Sequence, residues 1–100
     1  MTIRIDLNDL TQAHVNECAP YLGKCSYDAP CIIGTLLPVE VRKEFGGMSI
    51  YSLIVGGWVS APKEQENEIE ELQGAFDDGD TPRLVNMLYA RGLVWPEAAA

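Results

Sequence analysis

Lys63-Glu64-Gln65-Glu66-Asn67-Glu68-Ile69-Glu70-Glu71-Leu72-Gln73-Gly74-Ala75-Phe76 is the stretch on which the fold turns. Gln65, Ile69, Leu72 and Phe76 recur at helical spacing, which lines them up on one face of an α-helix, whereas a strand would alternate at every second residue. The longest helix of the chain is therefore predicted over about Lys63 to Phe76. Downstream, Asp77-Asp78-Gly79-Asp80 reads as a turn. Thr81 then caps a second helix with Pro82 at its first position, Leu84, Val85 and Leu88 supply its buried stripe, and Gly92 ends it.

Upstream, Ile3, Ile5 and Leu7 alternate with Arg4 and Asp6, the pattern of one short strand or extended arm. Asn8 or Thr11 caps a helix toward Cys18, with Leu10, Val15 or His14, and Cys18 near one face before Pro20. Tyr21 to Tyr27 reads as a loop. Asp28, Ala29 and Pro30 open a compact buried helix whose apolar stripe is Cys31, Ile32, Ile33, Leu36 and Leu37. Pro38 interrupts it and starts another from Val39 to Phe45, which ends at Gly46-Gly47. Ser49 caps Ile50 to Val55, with Gly56 as the left-handed closing residue, and Trp58-Val59 is an extended piece able to pair with the amino-terminal strand.

These elements add up to a mostly α domain of about five short helices with room for one short strand pair, an α+β arrangement of few strands. The 100 residues match the commonest size of one domain, spanning 1–100 with frayed ends at 1–2 and 95–100. An apolar fraction of 47% and a charged fraction of 22% suit an ordinary globular core. The longest apolar run, Met48 to Val59, is shorter than the roughly 20 residues that cross a bilayer. Because the first residues also lack a secretory pattern, the expected location is the cytoplasm.

The net charge is −8 with a pI near 4.4, which disfavours contact with nucleic acid and anionic membranes and favours basic protein surfaces. Three cysteines are an odd number, so a complete disulfide framework is not expected. His14, Cys18, Cys25 and Cys31 are the residue types of a zinc site, but no Cys-x-x-Cys knuckle holds two of them rigidly, and buried thiols are the better reading. Asp77-Asp78-Gly79-Asp80 resembles a calcium loop out of register, because alignment on Gly79 puts Phe76 and Val85 at ligand positions. Neither glycine pair has the spacing of a phosphate loop, and a single histidine leaves no hydrolase triad. No enzyme activity, cofactor or metal is expected.

The distribution of charge is the informative feature. Residues 61–80 hold Glu64, Glu66, Glu68, Glu70, Glu71, Asp77, Asp78 and Asp80 against Lys63 alone, a net of −7, while the remainder of the chain carries −1. Glu64, Glu68 and Glu71 form one stripe and Glu66 and Glu70 another, and like charges at this spacing repel unless a basic group neutralises them. Asp77, Asp78, Asp80, Glu66, Glu70 and Glu71 are accordingly the candidate partner contacts. Two classes of function fit: a monomeric acidic protein that docks on a basic surface, and a structural or assembly protein whose acidic face provides solubility alone.

Tyr27-Asp28-Ala29-Pro30-Cys31-Ile32-Ile33-Gly34-Thr35-Leu36-Leu37-Pro38, with Ser49-Ile50, Leu53, Gly57, Pro62, Leu72-Gln73 and Asp77, resembles a family of small proteins of phages and prophages of proteobacteria, over about residues 18–80. In size and charge the chain is also similar to the type I-F anti-CRISPR proteins. The resemblance implies an inhibitor that binds the RNA-guided surveillance complex of the host bacterial cell and prevents target DNA from being captured or unwound. Such complexes hold nucleic acid in positively charged channels. No site residue carries over, since Pro30, Cys31, Gly34 and Pro38 read as core and turn positions.

Overall fold

The first extended residues meet the last ones before the acidic helix. β1 (Ile3–Arg4) pairs in parallel with β2 (Val59–Ser60), Ile3 opposite Val59 and Arg4 opposite Ser60. The Ile3 N–H donates to the Trp58 carbonyl at 2.9 Å and the Ile5 N–H to that of Ser60 at 2.8 Å. Parallel pairing demands a long crossover, and here the intervening chain supplies it as helices. The structure, a computed structural model, describes residues 2–23, 31–44 and 50–96.

Five α-helices lie among the described residues: α1 (Gln12–Cys18), α2 (Val39–Glu44), α3 (Ile50–Val55), α4 (Glu66–Asp77) and α5 (Thr81–Tyr89). The domain is mostly α with one two-stranded sheet, as the periodicities require. Thr11 caps α1, its N–H donating to the Nδ1 of His14 at 3.0 Å. The apolar faces converge on one core, in which Val15, Cys18, Ile32, Ile33, Ile69, Leu72, Phe76, Leu84 and Leu88 are buried. α4 and α5 pack together as the central helical pair, and a single-turn 3₁₀ segment, Lys63–Gln65, leads into α4.

Four expectations are corrected. Residues 31–37 form only a 3₁₀ turn at Gly34–Leu36, although Ile32, Ile33 and Leu37 are buried as the stripe requires. Only part of the backbone there is satisfied within the segment, by the N–H groups of Thr35, Leu36 and Leu37; the Ile33 N–H donates to Gln73 Oε1 at 3.3 Å, and Arg42 donates to the carbonyls of Gly34, Leu37 and Thr35. The Thr35 hydroxyl also donates to the Ile32 carbonyl at 2.6 Å, a local bond that competes with the helical ladder. Second, the left-handed residue after α3 is Gly57, at φ +79°, because Gly56 still donates helically to Ser52.

Third, α5 is capped by Asp80, whose carboxylate accepts from the Arg83 N–H at 3.3 Å, with Thr81 inside the helix. Gly79 at φ +68° makes the reversal that brings Asp80 there. Fourth, Trp95 does not fray. It is 1% exposed and meets Phe76 edge to face, with ring centroids 6.4 Å apart and planes at 77°. Cys25, the caps expected at Asp28 and Ser49, Pro30, the helix end at Phe45 and the Gly46-Gly47 stop lie outside the described residues.

Candidate protein-binding surface

α4 carries the charge concentration, and its two flanks differ. Ile69, Leu72, Ala75 and Phe76 occupy the buried face together with two glutamines, Gln65 and Gln73. Each glutamine is a clasp. Gln65 Oε1 accepts from the Leu7 N–H at 2.8 Å while its Nε2 donates to Asp6 at 2.9 Å, and Gln73 accepts from Ile33 while donating to Asp77 at 2.9 Å. The helix is thus fixed at both ends to the chain that precedes it.

On the flank toward α5 the acids are answered within the molecule. Arg91 Nε meets Glu68 Oε2 at 2.6 Å, and Arg83 stands 3.8 Å from Glu71. Sequence reasoning placed Glu71 among the partner contacts and missed both arginines, which lie on or just beyond α5 and share no short-range spacing with α4. Glu66 and Glu70 project from the opposite flank, one turn apart and half-buried. Among the described residues, neither they nor Glu64 have a cationic partner.

The three acids of the turn are not equivalent. Asp80 is committed to capping α5. Asp77 accepts from Gln73, yet burial pushes its carboxyl up, outweighing the lowering by that bond, with further upward repulsion from Asp78. Asp78 is exposed; its N–H closes α4 on the Gly74 carbonyl at 2.9 Å, and its carboxylate has no hydrogen-bond or ionic partner among the described residues. The open acidic surface is therefore Glu64, Glu66, Glu70 and Asp78, with Asp77 at its edge.

Cys18 and His14 both make bonds within the fold. The Cys18 thiol donates to the Val15 carbonyl at 3.3 Å, and burial pushes it up to about 12, so it stays a protonated thiol at neutral pH. His14 completes the cap of α1. No metal-holding group of three or more such side chains occurs among the described residues. An open groove of about 470 Å³ runs beside the ion pair, lined by Leu7, Asn8, Leu10, Glu68, Ala90 and Arg91, and its charged walls are tied to each other.

A second surface feature escaped sequence reasoning. Tyr51 and Val55, one turn apart on α3, are 61% and 67% exposed, and Trp58 just beyond is 51% exposed. The signal was available as a run from Met48 to Pro62 without a charged residue. No helix among the described residues is long and apolar enough to cross a membrane. Comparison with protein-family models, curated proteins and solved structures finds no match for this chain.

Proposed function

We propose that the chain is a small acidic inhibitor, phage-borne as its resemblance implies, that occupies a basic nucleic-acid-binding surface of a type I-F CRISPR surveillance complex in the bacterial cytoplasm. Bound there as a monomer, it keeps target DNA from being captured or unwound. The action is occupancy, with no bond made or broken and no cofactor. The observation that carries this reading is the flank of α4 turned away from α5, where Glu66 and Glu70 lack the arginines that answer Glu68 and Glu71. Carboxylates so placed complement the lysines and arginines of a channel built to hold phosphates.

The test is competition between the purified protein and labelled target duplex for the purified surveillance complex, with thermal stability measured in parallel. Asp77→Lys/Asp78→Lys replaces attraction by repulsion at the exposed turn, and close interfacial charge pairs are coupled by about 1.5 to 7 kcal/mol. At least tenfold weaker competition is expected from the folded variant, with a modest fall in melting temperature because Asp77→Lys removes the acceptor of the Gln73 amide. Unchanged competition by the folded variant removes the acidic turn from the interface. Absence of any competition by the wild-type chain returns the charge to a solvated face on a structural or assembly protein.

A further inference from the structure

The uncharged patch on α3, a helix that packs against the acidic one, points to a partner more specific than a basic surface alone. Tyr51 and Val55 stand on adjacent turns of α3, so their side chains are neighbours on one exposed face. Trp58 extends it, with its indole lying over Gly56: a Cβ on Gly56 would come within 3.0 Å of Trp58 Cδ1 and 3.1 Å of the Ser52 carbonyl. The ring is thus seated by bare backbone while half of it faces solvent. Ile50, Leu53 and Val59 of the same stretch are buried, so the exposed trio is not surplus from an unpacked segment.

We propose that Tyr51, Val55 and Trp58 are the apolar centre of a docking surface whose acidic rim is Glu64, Glu66 and Glu70, and that its occupant is a protein segment presenting apolar side chains flanked by lysine or arginine. This rests on the protein-binding reading above and not on the identity of the complex. Size and charge select that occupant. Three side chains at these exposures offer roughly 300 to 400 Å², typical of a functional patch but only about half of what each side of a stable interface buries. The patch must therefore be completed by its surroundings. The chain runs from β2 through Pro62 directly to Glu64 and Glu66, and α3 packs against α4. A second copy of a chain carrying −8 would set carboxylates against carboxylates at that rim, whereas a basic segment pairs with them. Aromatic side chains at the centre with charge at the edge is also how interface energy is ordinarily distributed.

Acrylamide quenching of tryptophan fluorescence reads the surface directly, because Trp95 is 1% exposed and Trp58 is 51% exposed. The probe is a helical peptide with leucines on one face and lysines on the other. Its controls replace the leucines by glutamine or the lysines by glutamate. Protection of Trp58 by the leucine-lysine peptide at concentrations about tenfold or more below either control is expected. Tyr51→Ser/Val55→Ser should abolish the advantage of leucine over glutamine, and Glu66→Gln/Glu70→Gln the advantage of lysine over glutamate. Should the serine variant unfold, Val55→Lys, at the most exposed of the three sites, makes the same comparison.

Equal protection by the glutamine control, or an advantage that survives in the folded patch variants, overturns the proposal. So does sedimentation of the chain alone as a dimer with Trp58 already shielded, which assigns the patch to a second copy. No surveillance complex enters this titration. Failure here leaves the proposed target standing, and failure of the competition assay leaves this surface standing.

Discussion

Arg91 holds Glu68 through its Nε at 2.6 Å, and the same guanidinium reaches Asn8 through Nη1 at 3.5 Å. One cation therefore joins α4, the turn after α5 and the 3₁₀ turn Leu7–Asp9. With Arg83 beside Glu71, the pairing divides α4 lengthwise into a flank neutralised by its own fold and a flank without a cationic partner among the described residues. The division cannot be read from charge spacing along the helix, because the neutralising residues lie elsewhere in the chain.

Removing those cations should separate stability from steering. Arg83→Gln/Arg91→Gln takes the net charge from −8 to −10, two positive charges fewer. The pairs are partly exposed and contribute on the order of 0 to 1 kcal/mol each, so the melting temperature should fall only slightly. Association with a basic partner should become faster at low salt and steeper in its salt dependence. Stopped-flow association at two ionic strengths checks this, and an unchanged rate would argue that encounter does not depend on the acidic helix.

Gln65 should be among the most sensitive polar positions. It is 8% exposed and satisfies the N–H of Leu7, itself buried, as well as the Asp6 carboxylate. Gln65→Leu keeps the bulk but orphans that donor, at a cost of about 1 to 3 kcal/mol. Urea unfolding should show the loss as a lower midpoint with little change in slope. Glu64→Gln, next in sequence and exposed, should change stability by less than about 0.5 kcal/mol.

Most of the fold was legible because burial follows period. Ile69, Leu72 and Phe76 announce α4 whatever surrounds them, and Ile50 to Val55 forms α3 over the expected residues. Legibility ended where distant groups replaced local bonds. The turn at Gly34–Leu36 is held by Gln73 and Arg42, whose side chains arrive from elsewhere in the chain and offer no local cue. Trp95 looked like tail because nothing nearby in sequence buries it, and its cover is Phe76. At the candidate surface, the charge concentration was plain in the sequence, while its division into answered and unanswered flanks needed Arg83 and Arg91 in three dimensions.

Two aspartates should give stability profiles of opposite sign with pH. The Gln65 side chain, then the Asn8 N–H, holds the Asp6 carboxyl below its ordinary value of 3.8, with help from Arg4 and Arg91 against a small effect of burial. The unfolded chain therefore binds this proton more tightly, and the stabilisation is complete above 3.8 and lost as pH falls through the lower folded value. Asp6→Asn should destabilise at neutral pH and converge with the wild type in acid. Burial raises Asp77 despite its bond from Gln73, so its ionised form is the one the fold disfavours. Asp77→Asn should be neutral or stabilising at pH 7. Melting curves of the three proteins across the acid range measure both effects.

Phe76 and Trp95 tie the acidic turn to the segment that follows α5, and their substitution tests how the binding surface is held. Phe76 is fully buried immediately before Asp77-Asp78, and Trp95 covers it edge to face. Phe76→Ala should cost about 3 to 5 kcal/mol through the cavity it leaves, with binding and melting temperature falling together. Trp95→Ala should cost a similar amount, whereas a frayed tail residue would cost less than about 0.5 kcal/mol. Trp95→Phe is the discriminating variant. The indole N–H is buried with no hydrogen-bond partner among the described residues, and such an orphaned donor costs about 1 to 3 kcal/mol, which phenylalanine removes while keeping an aromatic ring against Phe76. Its net cost should be less than half that of Trp95→Ala in urea unfolding. Equal costs for the two variants would show that the packing of the larger indole, and not ring contact with Phe76, holds the turn in place.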